Sequence, residues 1–452
     1  MSDPRPLPPG PLIAYYGDDF TGSSAVMEVT AFAGLDSVLF LAPPTPERLR
    51  AFAGCRVIGI AGTARAQTPA WMEAELPAIF AGLAETGAPV LLYKVCSTFD
   101  SAPAIGSIGT AIDLAAERFA GWHPLLVADP GMGRYQAFGH LFAQAQGAVH
   151  RLDRHPVMAR HPVTPMDEAD LARHLARQTA RRIGLVDLAA MKAGAAQARL
   201  AHELEAGAEI VSLDVIDRET LVAAGRLIWE HGPQPIFGIG SQGLAAALVA
   251  CWREAGLLPQ ASPPRRPAPV SRLICVSGSV SPITAGQIAC AEAAGFAVIR
   301  LDAARAVEPR GWKEALDDAT QAALAALSNG RDVVVATATG PDDPAVAGLR
   351  AAVAATSSDE AAVNARIGTG LGTILDAVLA RTGLRRAVIS GGDSSGRAAA
   401  VLGIDALRAM APLAPGSPLC IASSPRPERD GLELALKGGQ VGAPDFFMAA
   451  KG

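Results

Sequence analysis

The sequence predicts an α/β protein built from two α/β domains with mainly parallel sheets. Its 452 residues exceed the length at which one hydrophobic core usually stops growing. Short apolar runs alternate with Ala-, Leu-, Glu- and Arg-rich stretches, and runs without polar alternation are typical of parallel strands buried on both faces. A proline-rich segment at residues 257–272 divides this alternation into two parts.

Eight apolar runs predict the strands of a first domain at residues 1–256. They lie at residues 12–16, 37–41, 56–61, 90–94, 125–129, 183–187, 209–214 and 235–240. Residues 257–272 contain five prolines and no periodicity, which predicts a semi-rigid exposed connector. Five further runs predict a second domain at residues 273–452, with strands at 273–277, 297–301, 332–336, 387–391 and 418–422.

Composition excludes several classes of function. The net charge of −5 and the pI of about 5.9 provide no basic field for nucleic acid. No segment approaches 18 uncharged apolar residues, and the N-terminus lacks the pattern of a signal peptide. The six cysteines have no C-x-x-C spacing, which favours free thiols in a reducing compartment. We therefore expect a cytoplasmic protein without a nucleic-acid or membrane partner; a homodimer stays open.

An acidic pair follows the first predicted strand, in "GDDFTG" at residues 17–22. Ligands of open α/β sheets collect at the carboxyl ends of strands. Asp18 and Asp19 there suit a magnesium ion, proton abstraction from a hydroxyl, or a clamp on a polyol. A helix N-cap is the plainer interpretation, but a cap needs only one of the two. Aspartyl phosphatases use an Asp-x-Asp-x-Thr turn, and adjacent carboxylates do not reproduce that pairing.

A second polar segment, "YKVCSTFDSA" at residues 93–102, follows another predicted strand. A lone lysine at a strand end is usually a surface residue. Beside several hydroxyl and carboxylate groups, a lysine is better explained as a ligand for an anionic, hydroxylated molecule. The candidate residues are Lys94, Ser97, Thr98 and Asp100.

Three glycine- and serine-rich turns lie in the second domain, and two of them follow predicted strands. "VSGSVSPITAGQI" at 276–288 places Ser281 as a helix N-cap before Pro282, and it lacks the spacing and lysine of a P-loop. "ISGGDSSG" at 389–396 and "KGGQVG" at 437–442 allow close backbone approach to an anion. Each turn alone could be an ordinary turn, whereas three together favour a phosphate cradle. The candidate residues are Ser277, Ser279, Ser281, Gly391, Gly392, Asp393, Ser394, Gly438 and Gly439.

Together these segments resemble the four-carbon acid sugar kinase family. Members of that family resemble one another in an A-D-D-x-T-G turn, a D-S-T-L-R-G-N-like loop, a G-S-x-G-L segment, a G-S-x-S-P-x-T-x-x-Q segment, a G-G-D/E-T-S-G loop and a terminal K-x-G-x-x-G. The corresponding segments here are "GDDFTG", "CSTFDSA" (96–102), "GSQGL" (240–244), "GSVSPITAGQ" (278–287), "GGDSSG" (391–396) and "KGGQVG". Six motifs in the same order span nearly the whole chain.

The resemblance implies an ATP-dependent kinase that uses Mg2+ and phosphorylates a hydroxyl of a small sugar acid in a cleft between the two domains. It places ATP on the second domain, at Ser279, Gly391 to Ser394 and Gly438. It places the sugar acid on the first domain, with Asp19 as the residue that orients or deprotonates the attacking hydroxyl. The substrate-binding residues are then Asp18, Asp19, Lys94, Ser97, Thr98, Asp100, Arg134 and Ser241.

One loop departs from the family pattern. Where the family has Asp-Ser-Thr-Leu-Arg, this chain has Cys96, Ser97, Thr98, Phe99 and Asp100. An anion thus replaces the guanidinium expected to hold a carboxylate, and Arg134 is the predicted compensating cation. The substrate is accordingly a four-carbon acid or a branched or oxidised relative such as 3-oxo-isoapionate. A non-catalytic sensor of sugar acid and nucleotide, or a sugar-phosphate phosphatase, are the alternative functions.

Overall fold

A computed structural model describes residues 5–452 except 21, 146, 162, 233, 261–263 and 265; the side chain of Asp393 also lies outside the described part. The chain divides into two compact units, residues 1–262 and residues 263–452. The predicted connector, 257–272, spans the division, and its described residues form no helix or strand.

The N-terminal unit is an α/β sandwich around a parallel sheet. Its strands are β1 (Ile13–Gly17), β2 (Ser37–Phe40), β3 (Val57–Ala61), β4 (Val90–Lys94), β5 (His123–Leu126), β6 (Arg134–Ala137), β7 (His140–Ala145), β8 (Ala148–Arg151), β9 (Ile183–Val186), β10 (Ile210–Leu213) and β11 (Ile236–Gly240). The main sheet has the order β2-β3-β1-β4-β11-β5-β10-β9, with parallel pairing. β6, β7 and β8 form a small antiparallel sheet of their own.

The helices of this unit connect the parallel strands and cover the sheet. They are α1 (Ser24–Phe32), α2 (Pro46–Arg50), α3 (Pro69–Glu85), α4 (Ile108–Ala116), α5 (Leu171–Leu175), α6 (Leu188–Lys192), α7 (Ala196–Glu205), α8 (Arg218–His231) and α9 (Gln242–Glu254). Short 3-10 helices occupy Ala64–Ala66, Pro130–Met132, Leu152–Arg154 and Met158–Arg160. Every residue of β1, β3, β4 and β11 is buried, as expected for strands covered on both faces.

The C-terminal unit has a mixed sheet. Its strands are β12 (Ile274–Ser277), β13 (Ala297–Arg300), β14 (Val333–Ala336), β15 (Arg386–Ser390), β16 (Ala406–Ala414), β17 (Ser417–Ser423) and β18 (Glu433–Lys437), in the order β13-β14-β12-β15-β18-β17-β16. β17 runs antiparallel to both of its neighbours, and the other pairings are parallel. The helices are α10 (Pro282–Ala293), α11 (Pro309–Ser328), α12 (Pro344–Thr356), α13 (Glu360–Thr382), α14 (Gly392–Val401) and α15 (Phe446–Lys451), with a 3-10 helix at Ala303–Val307.

Strand register brings the predicted motifs together at the carboxyl ends of both sheets. In the N-terminal unit Gly17, the last residue of β1, pairs with Lys94 of β4. In the C-terminal unit Ser390 pairs with Ser277 on one side and with Lys437 on the other. The residues that follow these strands therefore share one edge of each sheet.

The predicted fold class of two mainly parallel α/β domains is confirmed, and each of the thirteen predicted strands is present. β17 nevertheless belongs to an antiparallel hairpin and not to the predicted strand-helix alternation. Its partner β16 escaped prediction because several of its residues are exposed or half-buried, so the strand contains no continuous buried run.

Candidate active site

A cluster of two carboxylates and two cations lies at the carboxyl edge of the N-terminal sheet. Asp18 and Asp19 follow β1, and Arg65 lies in the 3-10 helix that follows β3. The Arg65 guanidinium donates from Nε to Asp18 Oδ2 at 3.1 Å and from Nη2 to Asp18 Oδ1 at 2.6 Å. The same Nη2 donates to Asp19 Oδ1 at 2.6 Å. One arginine thus orients both acidic side chains, and a bidentate pair of this kind is the stronger class of ionic hydrogen bond.

Lys94 completes the cluster from the end of β4. Its Nζ lies 3.5 Å from Asp19 Oδ1, and the residue is 3 % exposed. Gly22 donates its N–H to Asp19 Oδ2 at 2.9 Å. A Cβ atom on Gly22 would lie 2.1 Å from Asp19 Oδ1 and 2.5 Å from Lys94 Nζ, so this position has no room for a side chain. The glycine of the "GDDFTG" turn therefore allows the carboxylate and the lysine to meet.

Burial and neighbouring charges shift the pKa values of this cluster in opposite directions. Burial raises the pKa of Asp18, while Arg65 and Lys94 oppose that rise. Burial also works to lower the pKa of Arg65, but Asp18 and Asp19 outweigh it and raise that pKa well above its ordinary value. Arg65 is thus a permanent cation, and Asp19, whose side chain is 23 % exposed, is more accessible than the buried Asp18.

The loop after β4 is held by its own polar side chains. Thr98 Oγ1 donates to Asp100 Oδ1 at 2.5 Å and lies 3.0 Å from Cys96 Sγ. Burial raises the pKa of Cys96 to about 11, so its thiol is protonated at neutral pH. Phe99 is fully buried and adopts a φ of 57°, a conformation that a bulky residue rarely accepts. Ser97, between them, is half-buried.

A buried histidine, His174, contacts this loop through Ser101. Ser101 Oγ lies 3.0 Å from His174 Nε2 and accepts a hydrogen bond from Gln178 Nε2 at 2.9 Å. Burial lowers the pKa of His174, which favours the neutral ring. Asp100 is itself buried and accepts a hydrogen bond from Thr98, so it is not a surface residue.

Arg134 and Ser241, two other predicted substrate residues, both donate hydrogen bonds to backbone carbonyls. Arg134 begins β6, and its Nη1 donates to the carbonyls of Met132 at 3.1 Å and Gly133 at 3.3 Å. Burial lowers the pKa of Arg134, and Asp129 and Asp100 are among the groups that oppose this. Ser241 is 0 % exposed, and its Oγ donates to the Val127 carbonyl at 2.6 Å while capping α9. The structure assigns Ser241 to that cap, and we do not propose a substrate contact for it.

Sequence reasoning missed Arg65, the residue that organises the acidic pair. The available signal was its position directly after β3, since side chains that follow parallel strands share one sheet edge. The guanidinium that bonds Asp18 and Asp19 is that of Arg65. The role predicted for Arg134, a cation that compensates for Asp100 by holding a substrate carboxylate, is a separate one and stays a prediction.

The C-terminal unit contains a cavity of about 590 Å3, within the range of small-molecule sites. One part of its lining is rich in glycine and serine, from the loops after β12, β15 and β18. The other part is mostly apolar, with Thr337 and Asn364 as polar members, and comes from the segment after β14, from α12 and from α13. The lining includes Gly278, Ser279, Ser281, Gly391, Gly392, Ser394 and Gly439 on the first side, and Ala338, Ala345, Val346, Leu349 and Ile367 on the second. This division suits a ligand with a planar apolar base and a polar phosphate chain.

The glycines of this cavity permit close packing between its loops. A Cβ on Gly278 would lie 2.3 Å from Ser394 Oγ, and a Cβ on Gly439 would lie 2.7 Å from Ser279 Oγ. Gly391 has a φ of 128°, in the region that glycine tolerates best. Six of the predicted nucleotide residues line the cavity: Ser279, Ser281, Gly391, Gly392, Ser394 and Gly439.

The remaining predicted nucleotide residues lie behind or beside that lining. Ser277 is 0 % exposed, and its Oγ accepts from the Ser279 N–H at 3.4 Å, so it supports the loop. Gly438 precedes the lining residues Gly439 and Gln440. The side chain of Asp393 lies outside the described residues. Ser281 caps α10, as predicted, and its Oγ also donates to the Gly439 carbonyl.

We expect Gly392→Val to weaken ATP binding by about tenfold or more while the protein stays folded. Gly392 lines the cavity, and apart from its chain neighbours and the backbone of α14 no described atom lies within 4 Å of a Cβ placed on it, so the new side chain has space to project into the cavity. Its φ is not in the left-handed region, unlike that of Gly391, so backbone strain is not the cause. Calorimetric titration with a non-hydrolysable ATP analogue measures the loss; a tenfold weakening corresponds to about 1.4 kcal/mol. Unchanged affinity in the folded variant would show that this glycine is not beside the nucleotide.

Two family models match the chain, one for each unit. A sugar-binding N-terminal domain matches residues 13–248, and a nucleotide-binding C-terminal domain matches residues 274–447. The chain belongs to the four-carbon acid sugar kinase family. It is accordingly an ATP-dependent kinase of sugar acids, as predicted from the six motifs.

Related proteins match over nearly the full chain. The 3-oxo-isoapionate kinase of Paraburkholderia graminis is 49 % identical, over 97 % of this chain and 94 % of that protein. The 3-oxo-tetronate kinase of Methylobacterium radiotolerans is 33 % identical, over 96 % of this chain and 97 % of that protein. The 3-oxo-tetronate kinase of Cupriavidus necator is 31 % identical, over 97 % of this chain and 96 % of that protein.

Two solved structures share the fold. A Salmonella typhimurium LT2 structure aligns with a TM-score of 0.78 at 24 % identity, over 97 % of this chain and 98 % of its own. A Haemophilus influenzae structure aligns with a TM-score of 0.72 at 24 % identity, over 97 % of this chain and 99 % of its own. Among the described residues no helix is both long and apolar enough to cross a membrane.

Proposed function

We propose that the kinase phosphorylates a hydroxyl of a branched, oxidised sugar acid of the 3-oxo-isoapionate type, with MgATP as the phosphate donor. The observation that carries this proposal is the buried Asp100, bonded to Thr98, in the loop where the family pattern has a carboxylate-holding arginine. The much higher identity to the 3-oxo-isoapionate kinase than to the 3-oxo-tetronate kinases supports the same substrate.

The acidic and basic groups of the N-terminal unit have complementary roles in this proposal. Arg65 and Lys94 attract the carboxylate of the substrate and restrict its orientation. Asp18 holds Arg65 through the bidentate pair. Asp19, the more exposed carboxylate, orients the attacking hydroxyl and accepts its proton. The hydroxyls of Ser97 and Thr98 offer further hydrogen bonds to the sugar acid.

The glycine-rich loops of the C-terminal unit hold the phosphate chain of ATP. Backbone N–H groups stabilise the transferred charge without reorganising during the reaction. The hydroxyl oxygen attacks the γ-phosphorus, the bond from that phosphorus to the bridging oxygen breaks, and ADP leaves with that oxygen. Phosphoryl transfer needs mainly alignment and charge neutralisation from the protein.

Mg2+ fits this site as a partner of the nucleotide and not as a resident ion. The described residues contain no group of three His, Cys, Asp or Glu side chains able to hold a metal. Mg2+ keeps several waters and commonly binds through substrate phosphates, with one or two carboxylates at most. We therefore treat MgATP as the second substrate.

A substrate panel tests the proposal. Purified enzyme with MgATP is offered 3-oxo-isoapionate, 3-oxo-tetronate, threonate and erythronate, and ADP release is measured. We expect kcat/KM to be highest for 3-oxo-isoapionate. A higher value for a four-carbon acid would contradict the proposed substrate, and binding of ATP and an acid without acid-dependent ADP release would favour the sensor. Phosphate release from sugar phosphates without nucleotide would favour the phosphatase. The cytoplasmic location stays a prediction, and a homodimer stays open.

We expect Asp100→Arg to improve the use of threonate or erythronate relative to 3-oxo-isoapionate by about 10- to 100-fold in kcat/KM. A charge-assisted pair between an arginine and a carboxylate contributes on the order of 1.5 to 3 kcal/mol. Asp100→Asn is the matched control, because it removes the negative charge without adding a positive one. Circular dichroism checks that both variants fold, since the native Asp100 is bonded to Thr98. An unchanged ranking of acids would mean that this loop does not set specificity.

A further inference from the structure

We propose that Lys437 is a positioning residue for ATP, which aims the backbone N–H groups of Gly439 and Gln440 at the phosphate chain. Lys437 ends β18, and its side chain is 0 % exposed. Among the described residues no carboxylate lies within ion-pair distance of it. A buried ammonium without an anionic partner destabilises the fold, so stability alone does not explain a lysine at this position.

The ammonium is held by the turn that lines the nucleotide cavity. Lys437 Nζ donates to the Gly438 carbonyl at 2.9 Å and to the Val441 carbonyl at 3.3 Å. It also donates to Thr284 Oγ1 of α10 at 3.1 Å, and Thr284 Oγ1 donates in turn to the Gly439 carbonyl at 3.0 Å. The carbonyls of Gly438 and Gly439 are therefore both drawn toward Lys437 and α10.

This arrangement fixes the direction of two N–H groups. In a trans peptide the N–H points opposite to the carbonyl of the same unit. With the carbonyls of Gly438 and Gly439 directed toward Lys437 and α10, the N–H groups of Gly439 and Gln440 point away from them. Both residues line the cavity, and in the described part of the chain neither N–H donates a hydrogen bond. Successive N–H groups of a turn that face one cavity form an anion-binding concavity.

The buried charge adds to that concavity. A positive charge directly behind the turn, in a region of low polarity, stabilises a phosphate beyond the two N–H groups. The effect should grow with the negative charge of the nucleotide. A lysine that served the fold alone would affect ATP and uncharged adenosine equally.

A series of ligands of decreasing negative charge tests this inference, which rests on the proposed use of the cavity for ATP. The affinities of ATP, ADP, AMP and adenosine are measured by calorimetry for the wild type, Lys437→Met and Lys437→Gln. We expect Lys437→Met to weaken ATP by about 10- to 100-fold, ADP and AMP progressively less, and adenosine by less than about threefold. Lys437→Gln keeps one donor for the turn but no charge, so it should show the same gradient. In steady-state kinetics the KM for ATP should rise more than kcat falls.

Lys451→Met is the matched control, because Lys451 lies in the same unit and pairs with Asp332 at 2.8 Å. Its affinities for the four ligands should match those of the wild type. If ATP binds the wild type and both Lys437 variants equally, or if all four ligands weaken by the same factor, the inference is wrong. If the wild type itself binds no ATP, the proposed use of the cavity is wrong. If Lys437→Met does not fold, the gradient or its absence in Lys437→Gln decides.

Discussion

Asp19→Asn is expected to lower kcat by about 100-fold or more while the affinity for ATP changes by no more than a few fold. Asp19 is the more exposed member of the acidic pair, and its Oδ1 contacts both Arg65 and Lys94. An amide keeps the shape of the side chain but accepts no proton and carries no charge. General-base and alignment contributions are about 10² to 10⁴ in rate, and ATP is proposed to bind the other unit.

The control for this substitution is Asp187→Asn. Asp187 is the N-cap of α6, and asparagine caps a helix about as well as aspartate, so the same chemical change should leave turnover unaltered. Rates are measured at saturating sugar acid and ATP, with nucleotide affinity determined separately. Turnover of Asp19→Asn within a few fold of the wild type would remove Asp19 from the chemical step.

Arg65→Met is expected to reduce both stability and the use of the sugar acid. Removing one partner of a buried ion pair typically costs 3 to 5 kcal/mol, because the remaining charge is left uncompensated. Lys94 still attracts Asp18, so we expect the lower end, about 3 kcal/mol, in the free energy of unfolding. The KM for the sugar acid should rise by about 10- to 100-fold, the loss expected for a charge-assisted contact. Arg65→Lys should recover little, because lysine lacks the fork that bonds both carboxylates.

A double-mutant cycle separates these two effects. In the Asp18→Asn background the more buried of the two carboxylates that Arg65 compensates is absent, so Arg65→Met should cost distinctly less stability than in the wild type. The effect on the KM for the sugar acid should persist in that background, because it arises from the guanidinium itself. Denaturant unfolding and initial-rate kinetics provide the two readouts. Equal stability losses in both backgrounds would mean that the pair does not stabilise the fold.

The sequence was informative where a single strand and the turn that follows it were enough to locate site residues. Fully buried parallel strands such as β1 and β4 appear as continuous apolar runs, so their carboxyl ends and the residues beyond them could be located directly. The same reasoning placed Ser279 and Gly391 beside one cavity. β6, β7 and β8 were missed because their residues are mostly half-buried or exposed, and they contain no uninterrupted apolar run.

The sequence was less informative where function depends on contacts between distant segments. The pairing of Arg65 with Asp18 joins residues 47 positions apart, and the position of Arg65 after β3 does not by itself show which side chains it meets. Ser241 showed the reverse problem, because a motif serine at a strand end proved to be a buried helix cap. Lys437 carries no local sign of burial, since its environment is built by α10, α15 and the turn after β18.

The most direct test of the central claim is to identify the product of a single incubation. The enzyme is mixed with MgATP and 3-oxo-isoapionate, and phosphorus NMR and mass spectrometry follow the nucleotide and the sugar acid together. The account predicts one phosphate monoester of the acid for each ADP formed, and an initial rate of product formation lower by about 100-fold or more when Asp19→Asn replaces the wild type. ADP accompanied only by inorganic phosphate, or an acid that stays unphosphorylated while ATP is consumed, would contradict it.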